Sequence, residues 1–137
     1  MLWRLVKEAE RVLPNSYAPY SGVRVAAAIL SESNKVHLGV NVENSSYGLT
    51  MCAERVAVSA MITAGDKKPL AIAVVTDAEK PIPPCGACRQ VLAEFNPSII
   101  VISYSTKSRE HVIADLKQLF PQPFKLRQDL VYSTALF

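Results

Sequence analysis

Three short, continuous apolar runs constrain the fold of this chain more than any other feature. They are "VRVAAAIL" (Val23 to Leu30), "LAIAVVTD" (Leu70 to Asp77) and "SIIVISYS" (Ser98 to Ser105). Each has the length of a strand, and strands that are apolar on both sides are typical of a sheet covered on both faces. Helical patterns alternate with these runs, so the sequence predicts an α/β domain with helices on both faces of the sheet.

The remaining segments predict the elements around this sheet. Apolar spacing and stop signals predict helices over residues 2–13, 51–64 and 85–95. "VHLGVNVEN" (36–44) predicts a second strand, paired with the first as a hairpin. "HVIADLKQLF" (111–120) predicts a short strand or turn and then a helical turn, and the tail beyond Pro121 predicts a short helix or an extended arm.

Composition narrows the class of protein. A chain of 137 residues that is 50% hydrophobic suits one domain over residues 1–137. The net charge of +3 is too small and dispersed for a nucleic-acid partner, and no apolar run reaches membrane-spanning length. Three cysteines and an N-terminus unlike a signal peptide favour the reducing cytoplasm, where clustered cysteines indicate metal binding or catalysis.

The helix that begins "MCAERVAVSAM" contains an unusual charged pair. Glu54 and Arg55 are adjacent in a segment that is otherwise apolar around most of its circumference. Charged side chains are rarely buried unless they are paired or bind a metal, so we expect this pair to act with the nearby Cys52. The apolar remainder predicts burial, either inside the monomer or against other subunits.

The motif "PCGAC", with Cys85 and Cys88, has three interpretations. A redox pair leaves Cys52 unexplained, and a closed structural zinc site needs a fourth ligand from His37 or His111. An open zinc site with three thiolates and one water uses every cysteine. All three cysteines lie near predicted helix N-termini, where the helix dipole favours a thiolate.

Charge balance adds a role for arginine. Three thiolates leave a Zn²⁺ centre with net negative charge, which a cation near the sulfurs would offset. Arg55 and Arg89 are candidates, although an exposed helix position is an equally good interpretation for Arg89. Cys52-Ala53-Glu54 followed by Pro-Cys-x-x-Cys is the signature of zinc deaminases, in which the Glu acts as acid and base.

Five stretches resemble the small homotetrameric cytidine deaminases: "YAPYS" (17–21), "NVENSSYG" (41–48), "CAER" (52–55), "PCGACRQVL" (84–92) and, more weakly, "FPQPF" (120–124). The resemblance covers most of the chain. It implies a three-layer α/β/α fold with a mixed five-stranded sheet and one zinc per subunit. It also implies hydrolytic deamination of cytidine and deoxycytidine in a homotetramer with shared active sites, to which segment 121–137 contributes.

The resemblance also implies roles for individual residues. Zinc is held by Cys52, Cys85 and Cys88, its hydroxide attacks C4 of the base, and Glu54 carries the protons. The implied substrate contacts are Asn41, Glu43, Ala53, Tyr47, Phe124 and Val23. Asn41 and Glu43, on the ribose, alternate along the predicted strand and so face one side, although a solvated edge strand is the alternative without the motif. Tyr47 and Phe124 reach a neighbouring subunit's site.

Some positions depart from the family pattern. Val23 stands where the family usually has Phe, Ala26 where it has Gly, and Ser45 where it commonly has Ala. These changes bear on substrate preference more than on the reaction. The alternatives are a deaminase of an antibiotic such as blasticidin S, a nucleic-acid editor, and a non-catalytic zinc module, which would have no need for Glu54.

Overall fold

The structure, a computed structural model, describes residues 1–126. Its helices and strands are α1 (Leu2–Val12), β1 (Val25–Ser31), β2 (Val36–Val40), α2 (Ala53–Thr63), β3 (Pro69–Thr76), α3 (Gly86–Phe95), β4 (Ile100–Ser105), β5 (His111–Asp115) and α4 (Leu116–Leu119). Short 3₁₀ turns cover 13–15 and 47–49. "HVIADLKQLF" forms a strand and then a helical turn, which is one of the two outcomes predicted for it.

The strands form one sheet in the order β2-β1-β3-β4-β5. β3 and β4 are parallel and joined through α3, whereas the other three pairings are antiparallel. The mixed five-stranded sheet is therefore confirmed. Successive residues of β1 face the two sides of the sheet and both sides are covered, which explains why "VRVAAAIL" is so apolar: Ala26 to Ile29 are fully buried.

Helices cover both faces of the sheet. Leu5, Val6 and Ala9 of α1 pack on one face. Residues of α2 and α3, including Met61 and Leu92, pack on the other. The predicted three-layer α/β/α architecture is confirmed, and it places α2 and α3 side by side.

The predicted ends of the first hairpin were wrong. β1 begins at Val25 rather than Val23, and β2 ends at Val40 rather than Asn44. The physical reason is Asn41, whose side-chain oxygen accepts from the backbone N–H of Val25 at 3.0 Å and ends the regular ladder. Beyond it, Val42 makes only isolated bridges, so Asn41 and Glu43 do not alternate along a regular strand as predicted.

Helices α2 and α3 both begin later than predicted. α2 begins at Ala53 and α3 at Gly86, because Cys52 and Cys85 are their extended N-cap residues. α2 is only partly buried in this single chain, so the predicted burial of its apolar faces is not completed within the monomer. Val56 and Ile62 are half-buried, and Ser59 is exposed.

None of the helices within residues 1–126 combines the length and apolar composition needed to cross a bilayer. The tail from Pro121 was predicted as a short helix or an arm reaching another subunit; residues 121–126 form no helix, and residues 127–137 lie outside the described residues.

Candidate active site

Three cysteine sulfurs meet where α2 and α3 begin. Cys52 Sγ lies 3.9 Å from Cys85 Sγ, which lies 3.5 Å from Cys88 Sγ. All three lie within 4.8 Å of one another. Tetrahedral Zn–S bonds of about 2.3 Å place neighbouring sulfurs about 3.8 Å apart, so this donor set fits a zinc ion.

The surroundings of the sulfurs favour thiolate formation. Cys52 and Cys85 cap their helices, and Cys88 lies in the first turn of α3, near the positive end of the helix dipole. The pKa of Cys52 is lowered to about 5, chiefly by a hydrogen bond from the Cys88 thiol and also by Arg55. The pKa of Cys88 is raised, first because its thiol proton is shared with Cys52 and then by burial.

Glu54 is buried beside this cluster. It is the second residue of α2 and is 5% exposed. Burial is the largest cause that raises its pKa to about 7, and the charge of Cys52 adds to the effect. A carboxyl group with such a pKa can both accept and donate a proton near neutral pH.

Arg55 lies against the same cysteine. Its Nη2 donates to Thr50 O at 3.1 Å and lies 3.9 Å from Cys52 Sγ. Its Nε is buried without a hydrogen-bond partner in residues 1–126. The hydrogen bond to the Cys52 sulfur raises the pKa of Arg55, so the guanidinium stays charged beside the thiolate.

Arg89 has different partners from those we expected. Its Nε donates to Pro84 O and its Nη1 to Leu119 O, each at 2.7 Å. These bonds tie α3 to the loop before Cys85 and to the end of α4. A guanidinium occupied by two carbonyls supports the "PCGAC" segment and does not share the contact that Arg55 makes with sulfur.

A cleft of about 150 Å³ opens beside the cysteines. It is lined by Val25, Asn41, Thr50, Met51, Cys52, Ala53, Glu54, Ile82, Pro83 and Cys85. Ala53 is therefore on the cleft, as expected of a substrate contact. The start of β1 contributes Val25 to the lining, whereas Val23 lies two residues earlier, before the strand, with its carbonyl bound by Asn41.

The side chains of Asn41 and Glu43 are held by different segments, Asn41 by the chain around the start of β1 and Glu43 by "YAPYS". Asn41 Nδ2 donates to Val23 O at 2.9 Å, and its Oδ1 accepts from Val25 N. Glu43 accepts from the backbone N–H groups of Tyr20 and Ser21 and from the Ser21 hydroxyl. The Ser21 hydroxyl is the first cause that lowers the pKa of Glu43. Each side chain keeps spare hydrogen-bonding capacity for a ligand.

A second cavity, of about 330 Å³, adjoins the cleft at Thr50. Glu43 and Tyr47 line it together with Tyr20 and Ser21. Tyr47 is 74% exposed, and its ring lies 6.0 Å from that of Tyr20. Phe124 is 69% exposed, with its carbonyl bound by Gln90 of α3. Neither ring fills a pocket within the described part of this chain.

Sequence reasoning missed several residues that shape the site. Thr50 and Ser21 were not singled out, nor were Val25, Ile82 and Pro83. Ser21 lies inside the quoted motif "YAPYS", which pointed to it. Thr50, Ile82 and Pro83 lie in loops next to the metal motifs, and only the fold brings their surfaces to the cleft.

An α/β/α sandwich with three cysteines and a buried glutamate at two helix N-termini defines the class of zinc deaminases. Residues 2–104 match the family model described as the cytidine and deoxycytidylate deaminase zinc-binding region. The chain belongs to the cytidine deaminase family.

Individual relatives agree with this assignment. A cytidine deaminase of Sporosarcina psychrophila is 37% identical over 130 residues, 95% of each chain. One from Halalkalibacterium halodurans is 50% identical over 94 residues, 69% of this chain and 71% of that protein. The crystal structure of cytidine deaminase from Burkholderia pseudomallei superimposes with a TM-score of 0.85 at 38% identity, covering 90% of this chain and 99% of that one.

Proposed function

We propose that this protein hydrolyses cytidine and deoxycytidine to uridine and deoxyuridine with release of ammonia, as an enzyme of pyrimidine salvage. The observation that carries the proposal is Glu54, a buried carboxyl group beside three clustered cysteines in a cleft. A non-catalytic zinc module would gain nothing from a buried, unneutralised carboxylate, which costs stability.

Cys52, Cys85 and Cys88 hold the zinc ion in this proposal. When bound, zinc supplies the nucleophile, because it lowers the pKa of its water towards about 7. The reaction at C4 of the cytosine ring adds the elements of water and expels the amino group as ammonia.

Glu54 carries the protons in this reaction. As a carboxylate it accepts one proton from the attacking water and passes it to N3 of the ring. It then takes the remaining hydroxyl proton and gives it to the departing amino group, and the carboxylate is restored. A pKa near 7 suits both directions of transfer.

The two adjoining cavities suit the two parts of a nucleoside. The smaller cleft, with Ala53, Glu54 and the cysteines, takes the base. The cavity beyond Thr50, with Glu43, takes the ribose, and Asn41 lies on the cleft wall. The hydrogen bonds to the "YAPYS" segment hold Glu43 in place, so that its remaining lone pairs meet the ribose hydroxyls. Val23 lies next to this wall, where its side chain would influence the fit of the base.

We further propose a homotetramer with shared active sites, each subunit holding one zinc. Tyr47, Leu49 and Phe124 are 74%, 67% and 69% exposed in the single chain. Large apolar side chains exposed around a site mark a surface that another molecule covers. Tyr47 and Phe124, with segment 121–137, would then complete neighbouring sites. The need for three reduced cysteines supports work in the reducing cytoplasm.

The proposal is tested by offering the zinc-loaded protein a panel of cytosine compounds. We expect loss of cytosine absorbance with cytidine and deoxycytidine, and much slower loss with free cytosine, which lacks the ribose. Faster deamination of blasticidin S than of either nucleoside would instead favour the antibiotic deaminase. Zinc-loaded, folded protein inactive on every compound would refute the proposal.

A further inference from the structure

Gly39 is the fourth of five residues of β2, lies opposite Ala27 of β1, and is buried beneath α2. A Cβ at this position would lie 2.4 Å from the backbone nitrogen of Ala57 and 2.5 Å from the backbone oxygen of Ala53. Both atoms belong to the backbone of α2, so no side-chain rotation relieves the overlap. The helix can rest on the sheet at this distance only because residue 39 is glycine.

The contact at Gly39 lies directly behind the N-terminal turn of α2. That turn presents Cys52 and Glu54 to the site, whereas Cys85 and Cys88 come from α3. The 3.9 Å separation of Cys52 from Cys85 is therefore a distance between two helices. The 3.5 Å separation of Cys85 from Cys88 is internal to the start of α3.

The size of the clash sets the size of the effect. Ordinary van der Waals contact begins at 3.4 Å, so the added carbon would push α2 from β2 by about 1 Å. Metal ligands tolerate deviations of about 0.2 Å, and catalytic groups about 0.5 Å. A displacement of this size would separate Cys52 and Glu54 from the two cysteines of α3.

We propose that Gly39 is a positioning residue that sets the spacing between the two halves of the zinc site. The inference rests on the zinc site proposed above. Gly39 acts through α2 and does not touch the substrate. Any residue larger than glycine moves Cys52 relative to Cys85 while leaving the Cys85 to Cys88 pair intact.

The test compares Gly39→Ala with wild type in zinc retention and in the spectrum of the cobalt(II)-substituted protein. Retention against a competing chelator is expected to fall by about 10- to 100-fold, the range found when the support of a metal ligand is lost. The sulfur-to-cobalt charge-transfer band is expected to weaken, because one of three sulfurs is displaced. Both readouts are independent of turnover, so they test the role of Gly39 separately from the proposed deaminase activity.

A control variant separates positioning from general loss of stability. Val6→Ala removes packing from α1 on the opposite face of the sheet, where Val6 is 2% exposed. It should lower the melting temperature yet keep wild-type zinc retention and spectrum. If Gly39→Ala does not fold, Ala57→Ser carries the test, because it adds one atom to the fully buried residue of α2 whose backbone nitrogen faces Gly39; a smaller effect of the same kind is expected.

Two results would overturn the proposal. One is a folded Gly39→Ala protein with wild-type zinc retention and cobalt spectrum. The other is an equal loss of zinc in Val6→Ala at an equal melting temperature. Wild-type protein that binds zinc but deaminates nothing would refute the proposed function and leave the positioning role standing.

Discussion

At the scale of single residues, Arg55 and Arg89 divide two tasks that the sequence could not separate. Both follow a cysteine motif closely, and both are candidates to offset the charge of three thiolates. The structure places the Arg55 guanidinium 3.9 Å from Cys52 Sγ and bonds that of Arg89 to two backbone carbonyls. We therefore propose that Arg55 acts on charge at the metal site and that Arg89 supports the loop before Cys85.

Arg55→Gln should release zinc at a higher pH than wild type does. Arg55 lowers the pKa of Cys52, so its loss raises that pKa and the thiolate is protonated at a less acidic pH. The midpoint of zinc release against pH, followed with a chromogenic chelator, measures the change. Arg89→Gln is the matched control, and a shift there as large as in Arg55→Gln would contradict the division of tasks.

The zinc ligands and Glu54 could be predicted because their spacing is local in the sequence. Cys52 and Glu54 share a helix turn, as do Cys85 and Cys88, and helix N-termini are recognisable from composition. The partners of Glu43 could not be predicted, because Ser21 is 22 residues away and its contact depends on the path of a loop. The end of β2 was missed for the same reason, since Asn41 takes the Val25 N–H with its side chain.

At the scale of elements, Asp66 ties the end of α2 to the β1–β2 hairpin. Its Oδ2 accepts from Ser31 Oγ at 2.9 Å and Ser33 Oγ at 2.7 Å, and it lies 2.8 Å from His37 Nε2. These contacts lower the pKa of Asp66 from 3.8 to about 2, with the Ser33 hydrogen bond as the largest cause. α2 is thus fixed at its C-terminal end here and at its N-terminal half by Gly39.

Asp66→Asn should lower the stability of the fold at neutral pH. Because the folded-state pKa of Asp66 is depressed, its stabilising effect is present above 3.8 and is lost as pH falls towards about 2. The difference in unfolding free energy between wild type and variant should therefore narrow through that window in urea titrations. Glu79→Gln, at an exposed ion pair with Lys107, should show little difference. A difference in unfolding free energy between wild type and Asp66→Asn that stays constant down to pH 2 would contradict this prediction.

The elements themselves were well predicted. Periodicity identified the strands and helices because each apolar run has one dominant spacing. It also predicted that α2 is buried in the monomer or against other subunits, and Val56 and Ile62 are half-buried in one chain. Sequence pattern records that a face is apolar and does not record whether the sheet or another subunit covers it.

At the scale of the whole molecule, the zinc site joins α2 and α3, which lie on the same face of the sheet. Removing the metal by chelation should lower the melting temperature, because a ligand bound only to the folded state stabilises it by about 4 kcal/mol at a thousandfold excess over its dissociation constant. Restoring zinc should restore both stability and turnover. An unchanged melting temperature on verified zinc removal would show that the metal does not join the two helices.

In the proposed reaction, Glu54 moves the protons of a zinc-dependent deamination. Glu54→Gln keeps the size of the side chain and removes its ability to take a proton. The direct measurement is cytidine turnover, with zinc content determined on the same samples of wild type and variant. We expect full zinc content in both proteins. In the variant we expect kcat to fall by about 100- to 10,000-fold, the range of general acid–base catalysis. Equal turnover in the two proteins would contradict the account.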